Sequence, residues 1–574
     1  MRSMPLWLFV LALTVAACAP TAPNARTQAG EQSAPSKQGS KTIAIAVNED
    51  VSSIWDAVTS GGGTGARELA NVVNQHLVAI TSDGSPTPRL LSELPSLDRG
   101  TWTVQADGTM QMTWRLRPNA VWHDGTPFTA DDVLFSFAVN KDPEVPNANQ
   151  EAVRLIAGME AIDDRTVSVS WSEPYPFADR LEHRELFPLP RHLLERSYND
   201  ARDSFLLQSY FSDDFVGLGP YRVARWERGS HLDLAAFDEF FLGRPKIDTI
   251  RVLFVTDNNT MLANLKSHTA QMMLTLGSAP KFDALMSLKH DWEATGHGTV
   301  LTDPIAYSFI EPQKRKLASP PDLADPRVRQ AMMYAIDREA LMQVHFGDQG
   351  VLADSWVHPS FPEYPQVQSA GTRYQTDIRR ATAMLEDAGW QRTNGETIEK
   401  NGQRFDLTLR DADGEQDALI LAANWKAIGI TGTYEPRSTA LLRDRQDRAT
   451  FTGVEITVNP MAILSVSRRL ATVGIPTAEN KWTGSNRGAY SNPAWDELDR
   501  RAYTSLQGQD RVDIERELVR IYTTDLPLLP LFFRLDVVPV GGGITGPVAN
   551  TGVAHRGFIL HTWNIVDWDV SPRG

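Results

Sequence analysis

The chain has 574 residues, 42% hydrophobic and 22% charged, a composition that suits a globular protein with room for large cores. Its formal net charge is -15 with no basic run, which argues against nucleic acid as a partner and against electrostatic docking on anionic lipid. The single cysteine, Cys18, excludes an internal disulfide, and the 12 histidines fall into no metal-ligand spacing, so neither a metal nor another cofactor is expected.

The chain opens with Arg2, an apolar stretch at 6–15 and small residues up to Cys18. Residues 1–17 therefore read as a secretory signal, with an apolar run too short to stay in a bilayer as a spanning helix. Residues 18–41 are rich in Pro, Ala, Thr, Ser, Gln and Gly and read as a disordered tether. A strand follows at 42–47. The run Ser60-Gly61-Gly62-Gly63-Thr64-Gly65 precedes a helix predicted over 66–77, but it lacks the Gly-Lys-Ser/Thr of a P-loop. It is either a flexible turn or a helix start that faces a ligand cleft. Residues 102–106 and 110–116 alternate as strands around the Asp107-Gly108 turn. Thr129 fits an N-cap with Asp132 at N3, and Asp131 and Asp132 suit the helix dipole, so this acidic pair reads as structural rather than catalytic. Another alternating strand is predicted at 166–171.

Residues 216–265 read as strand, turn, strand, aromatic loop, strand and helix. They carry Gly217-Leu218-Gly219-Pro220-Tyr221, a Trp226-to-Gly229 turn and Phe240-Phe241-Leu242-Gly243-Arg244-Pro245-Lys246. Together with Trp122-His123-Asp124-Gly125-Thr126-Pro127 and the helix start at 129–133, this ordered set resembles the extracytoplasmic solute-binding proteins of peptide-type ABC importers. Leu218 stands where that family usually has Thr. Asp325-Pro326 opens a helix with an apolar face at Val328, Ala331, Met332, Ala335 and Ile336, and Asp337 is placed to cap the next one. Further on, a helix is predicted at 377–388 with Gly389 as its stop, a β-α-β unit at 405–434, a helix at 511–522 and a buried strand at 528–533.

The resemblance implies an α/β, two-lobed periplasmic-binding-protein-like fold (type II, cluster C) with mixed sheets and an extra inserted subdomain. It divides the chain into a first lobe at 42–89 and 215–304, an inserted subdomain at 90–214, a second lobe at 305–535 and a return to the first lobe at 536–574. The small residues before Cys18 resemble a lipobox, which implies cleavage and lipidation of Cys18, although an ordinary signal peptide with a chance cysteine fits the same residues. The function implied is capture of a solute, a peptide by family precedent, between hinged lobes. Delivery to a permease and ATPase complex follows, by a monomer held at the outer face of a membrane through its lipid alone. A secreted polysaccharide hydrolase using paired carboxylates is the alternative, and a receptor-partner role is a third.

The candidate ligand-binding residues are Asn48, Trp356, Glu455, Asn459, Trp482, Asn486 and Tyr490. Loops that combine flat aromatic faces with amides suit a solute with an apolar body and a few polar handles. The run from Trp482 to Pro493 resembles the family's cleft-lining loop. Peptide-binding members carry Trp-x-x-Asp-Tyr-x-Asp-Pro, whose first Asp pairs with the peptide amine. With Pro460 aligned, Ile456 stands at that Asp. Either Glu455 serves after a one-residue slip or the ligand lacks a free amine, since a buried ammonium without a carboxylate is costly. Oligosaccharides and other solutes therefore stay open.

Overall fold

In the computed structural model, residues 40–571 are described, except 56–63, 146–150, 182–184, 275–279, 394, 412–414, 437–440, 442–443, 507 and 553–558. The expected signal segment, Cys18, nearly all of the tether and most of the glycine loop lie outside the described residues.

One mixed sheet of ten strands organises the molecule. Its strands, numbered along the chain, are β1 (Thr42–Val47), β2 (Tyr221–Glu227), β3 (His231–Ala236), β4 (Thr249–Phe254), β5 (Met272–Met273), β6 (Gly298–Pro312), β7 (Asp406–Asp411), β8 (Thr431–Tyr434), β9 (Val454–Asn459) and β10 (Leu529–Gly541). Their order across the sheet is β8-β7-β9-β6-β10-β5-β1-β4-β3-β2. Two long antiparallel strands, β6 and β10, connect the sheet's halves. Their pairing runs from Gly298 opposite Gly541 to Ile310 opposite Leu529. β10 meets β5 only at its far end, through Val540 and Met272, while the opposite end of β6 pairs with β9 from Tyr307 to Pro312.

The sequence pattern stops a strand at Phe533, whereas β10 continues to Gly541. Pro304, Pro530 and Pro539 all sit within the ladder, which shifts register between Pro304 and Ala306 and between Ser308 and Phe309.

A second, antiparallel sheet holds Trp102–Val104, Met110–Arg115, Thr166–Trp171 and Ile156–Asp163 in that order. Its inner face buries Trp102, Met112, Trp114 and Trp171, and that apolar cluster continues through Phe177 to Phe361, Met461 and Ile514. Asp132 does serve the helix Ala130–Lys141: its carboxylate accepts the backbone N–H groups of Thr129 and Arg191, each at 2.9 Å. Asp325 and Asp337 likewise accept from Arg327 and Ala340 at the starts of Pro326–Tyr334 and Arg338–Phe346.

A buried charge cluster fixes the crossing strands. Asp303 on β6 lies directly opposite Asp536 on β10. His561 places Nε2 at 3.1 Å from Asp303 and 3.5 Å from Asp536. Burial opposes charge on His561, but the hydrogen bond to Asp536 and the charges of Asp303 and Glu68 outweigh it and raise its pKa. Glu68, on the helix Thr64–Val73, accepts from the backbone of His561 and Thr562 and from the Thr562 hydroxyl at 2.6 Å. Removing the cation leaves buried carboxylates uncompensated, so His561→Gln is expected to destabilise the protein by about 3–5 kcal/mol in urea unfolding at pH 7. A loss under about 1 kcal/mol contradicts this account.

Candidate functional site

A cavity of about 300 Å³ opens between the halves that β6 and β10 join. One side is formed by Asp83, Gly84, Ser85 and Gly552, and the other by Phe361–Glu363, Met461–Ile463 and the helix Gly508–Asp525; Phe177 and Arg180 come from the segment after the small sheet. Backbone contacts set these walls. Gly552 donates to Ser82 at 2.9 Å, and a Cβ on Gly552 would fall 2.2 Å from the Asp83 carbonyl carbon, so only glycine permits this approach. The Ser360 hydroxyl donates to the Thr551 carbonyl at 3.0 Å, a contact from the loop of one wall to the segment of the other.

The charges in the cavity are distinctive. Arg180 and Arg511 lie 5.8 and 5.3 Å from the centre of the Phe177 ring, as cation–π partners. Arg180 donates to the Gly84 carbonyl at 3.1 Å and approaches Asp179 at 3.5 Å. Arg511 has no hydrogen-bond or ion-pair partner among the described residues. Burial lowers the Arg511 pKa, the nearby Arg180 charge lowers it further, and Asp179 opposes both. Such a guanidinium is a ready partner for a planar anion.

Two carboxylates share the space. Glu515 is buried on the helix, one turn beyond Arg511, and accepts from the Trp356 indole at 2.8 Å. Burial and the charge of Glu363 push the Glu515 pKa up to about 8, against the Trp356 hydrogen bond. Glu363 is also raised by burial. Among the described residues no group of three or more His, Cys, Asp or Glu is placed to hold a metal ion.

The family model for bacterial extracellular solute-binding proteins, family 5, matches residues 94–456. The chain belongs to that family. The oligopeptide-binding protein AppA of Bacillus subtilis is 25% identical over 342 residues, which span 57% of this chain and 58% of that relative. The match thus reaches over little more than half the relative's length. Among solved structures, the oligopeptide-binding protein of Thermus thermophilus with a pentapeptide superposes with a TM-score of 0.70 at 21% identity, covering 92% of this chain and 96% of that one. NikZ of Campylobacter jejuni with Ni(L-His) gives 0.70 at 20%, covering 92% and 99%. The two-lobed periplasmic-binding fold with mixed sheets is that of the family.

None of the seven candidate ligand residues lines the cavity of this family 5 chain. Trp356 lies behind it, edge-on to Trp495 and Tyr522, and orients Glu515. Glu455, on β9 opposite Glu311, is buried 3.8 Å from Arg487. Asn459 donates to the Pro460 carbonyl and Ser465, two residues before Met461 of the cavity wall. Asn486 is an internal lock that donates to the carbonyls of Ala471 and Tyr490 and accepts from Tyr490. The Tyr490 hydroxyl donates to Asp525 at 2.6 Å. Trp482 is half-buried with φ +57°, in a loop held by its own backbone. Asn48 follows β1 at a bend. The expectation that the helix after the glycine loop offers its start to a ligand meets a local fact: the Ala66 N–H already donates to Glu49 at 2.7 Å.

Sequence reading passed over Arg180, Glu363, Arg511 and Glu515. One signal was available. On the helix, Glu515 falls in line with Leu518 and Tyr522, which are buried, so a carboxylate sits within an apolar stripe.

Glu515 also makes a stability prediction. Its folded pKa is about 8, above the ordinary carboxylate value of about 4.5. Its contribution is therefore complete below about pH 4.5 and is lost as pH rises through about 8. Glu515→Gln, which cannot ionise, is expected to match the parent at pH 4 and to exceed its stability by on the order of 1 kcal/mol or more at pH 9. Parallel pH–stability curves would exclude a raised Glu515.

Proposed function

We propose that this family 5 protein captures an organic solute between its lobes and hands it unchanged to the permease and ATPase of an ABC importer. The observation that carries the reading is the cavity itself. It is lined from both sides of a two-strand connection and holds Arg511, for which no hydrogen-bond or ion-pair partner stands among the described residues, near the carboxyls of Glu363 and Glu515. A connection of two strands with register shifts can serve as a hinge, and closure around a ligand buries contacts from both walls at once. The oligopeptide-binding relative supports a peptide or peptide-sized solute. The chain divides into the first lobe, inserted subdomain, second lobe and C-terminal return set out from its sequence. Residues 1–17 are removed as a signal, lipid on Cys18 holds a monomer at the outer face of the membrane, and residues 18–41 are the tether.

One observation favours a second reading. A carboxyl with a raised pKa beside another carboxylate is the pattern of a glycoside hydrolase acid. Solute recovery separates the two. Mass spectrometry of small molecules released by denaturing the purified protein is expected to find an intact solute. Adding that solute back is expected to shorten the molecule's maximum dimension in solution scattering. Arg511→Met is expected to weaken binding more than tenfold, whereas Trp482→Ala stays within threefold. A compound consumed with turnover, and no contraction, overturns capture.

A further inference from the structure

Three carboxyl groups and one imidazole meet at the crossing strands. Asp303 comes from β6, Asp536 from β10, Glu68 from the helix Thr64–Val73 and His561 from the C-terminal segment, and all four are buried. Among the described residues no Lys or Arg pairs with any of them. One cation cannot balance three buried carboxylates, so the cluster lowers its charge by keeping protons on carboxyl groups. Its hydrogen bonding is also incomplete: His561 Nδ1 and Asp536 Oδ1 are buried with no hydrogen-bond partner among the described residues. Glu311 and Arg469, by contrast, close on each other at 2.6 Å. A half-satisfied buried cluster is easily tipped by one proton. This one is also joined to both walls of the cavity. Asp303 accepts the Asn550 N–H at 2.7 Å. The next residue, Thr551, donates to the Ser82 carbonyl at 2.8 Å and accepts from Ser360 of the opposite wall at 3.0 Å, and Gly552 lines the cavity.

We propose that this cluster is a proton-operated hinge: as the surrounding pH rises, protons leave Asp303 and then His561, the crossing strands loosen, and the lobes part. The proposal rests on the hinge proposed for β6 and β10. Burial raises Asp303, against the His561 charge and with the help of the facing Asp536, to about 7. Burial opposes the charge on His561, yet its hydrogen bond to Asp536 and the charges of Asp303 and Glu68 carry its pKa up to about 9. Glu68 is raised by burial as well. The folded values of Asp303 and His561 lie above the ordinary ones of about 4 and about 6.5. Each contribution is therefore complete below its ordinary value, and the two are lost as pH rises through about 7 and about 9. Each proton passes to water, and no bond between heavy atoms changes. At high pH two facing carboxylates remain with no cation between them, and buried charge of one sign is relieved by admitting water to the crossing. The segment Asn550–Gly552 loosens with it, and so does the contact of Thr551 with Ser360.

The test reads lobe separation in the full chain with no solute added. Lys266 and Val473 are exposed and lie in different halves of the sheet's connections, after β4 and after β9. Fluorescent donor and acceptor dyes are attached through Lys266→Cys and Val473→Cys, with Cys18→Ser, and circular dichroism follows the fold. Between pH 5.5 and pH 10 energy transfer is expected to fall in two reversible steps, near pH 7 and near pH 9, while the circular dichroism holds. Asp303→Asn is expected to lose the first step. Asp536→Asn, which removes the facing charge and the hydrogen bond to His561, is expected to move both steps to lower pH, and it serves where Asp303→Asn does not fold. Constant energy transfer, a first step that survives in Asp303→Asn, or steps unmoved in Asp536→Asn overturns the proposal. So does loss of the circular dichroism together with the energy transfer, since the cluster then governs folding and not the lobes. A response abolished by Glu515→Gln places the titration in the cavity and overturns it too. Contraction of the molecule by a recovered solute is a separate result: it leaves capture standing where the hinge proves indifferent to pH.

Discussion

Asp303 and Asp536 face each other across the two strands that join the halves of the sheet. Like charges directly opposed on an antiparallel pair are destabilising, and here both are buried. Burial raises the Asp303 pKa to about 7, and His561 supplies the cation that offsets the pair, a need met only from far along the chain. This requirement brings the end of the chain back to the crossing strands. Glu68 then accepts the backbone N–H groups of His561 and Thr562, which ties the first helix to the same point, and the Asn550 N–H donates to Asp303 at 2.7 Å. One residue beyond Asn550, Thr551 meets Ser360, and Gly552 meets Ser82. The cavity's first wall is thus a continuation of the charge cluster at the crossing.

Several buried charges of the second lobe close on partners of their own. Glu311 accepts from Arg469 and from the Gly488 backbone. Lys314, whose pKa burial drives well below the ordinary value, donates to the carbonyls of Pro312 and Pro527. Arg329 donates to the carbonyls of Asp525 and Leu526. Each of these groups holds a strand end or a loop in place. Arg511 differs because no such acceptor answers it among the described residues, and Glu515 differs because its neighbour is another carboxylate. A charge whose partners are all internal stabilises the lobe, whereas a charge left toward a void is available to a ligand.

How far the sequence speaks depends on the range of the interaction involved. β1 and the strand Thr166–Trp171 have the bounds their alternation predicts, and Asp132, Asp325 and Asp337 act on backbone groups two or three residues away. Such signals are local and written in consecutive residues. The crossing strands are harder, because the apolar run that ends at Phe533 is followed by Arg534 and Asp536, and β10 continues through them only as the partner of β6 as far as Gly541. The candidate site is hardest of all. Arg180 and Arg511 are 331 positions apart in sequence, and they come together at the ring of Phe177.

The aromatic loop residues show how a chemical expectation can settle on side chains that the fold uses for other ends. Trp356 and Tyr490 are candidates on sequence because an aromatic with a polar edge suits a cleft. In the fold their polar edges are already engaged, by Glu515 and Asp525. Asn486 has the amide that a ligand would use, but it has folded its own loop around that amide. Trp356 nevertheless stands one hydrogen bond from the cavity, since its indole holds the Glu515 carboxyl that lines it. The same side chain that packs against Trp495 and Tyr522 therefore sets the direction of a carboxyl in the cavity wall, and core packing and the cavity lining meet at one hydrogen bond.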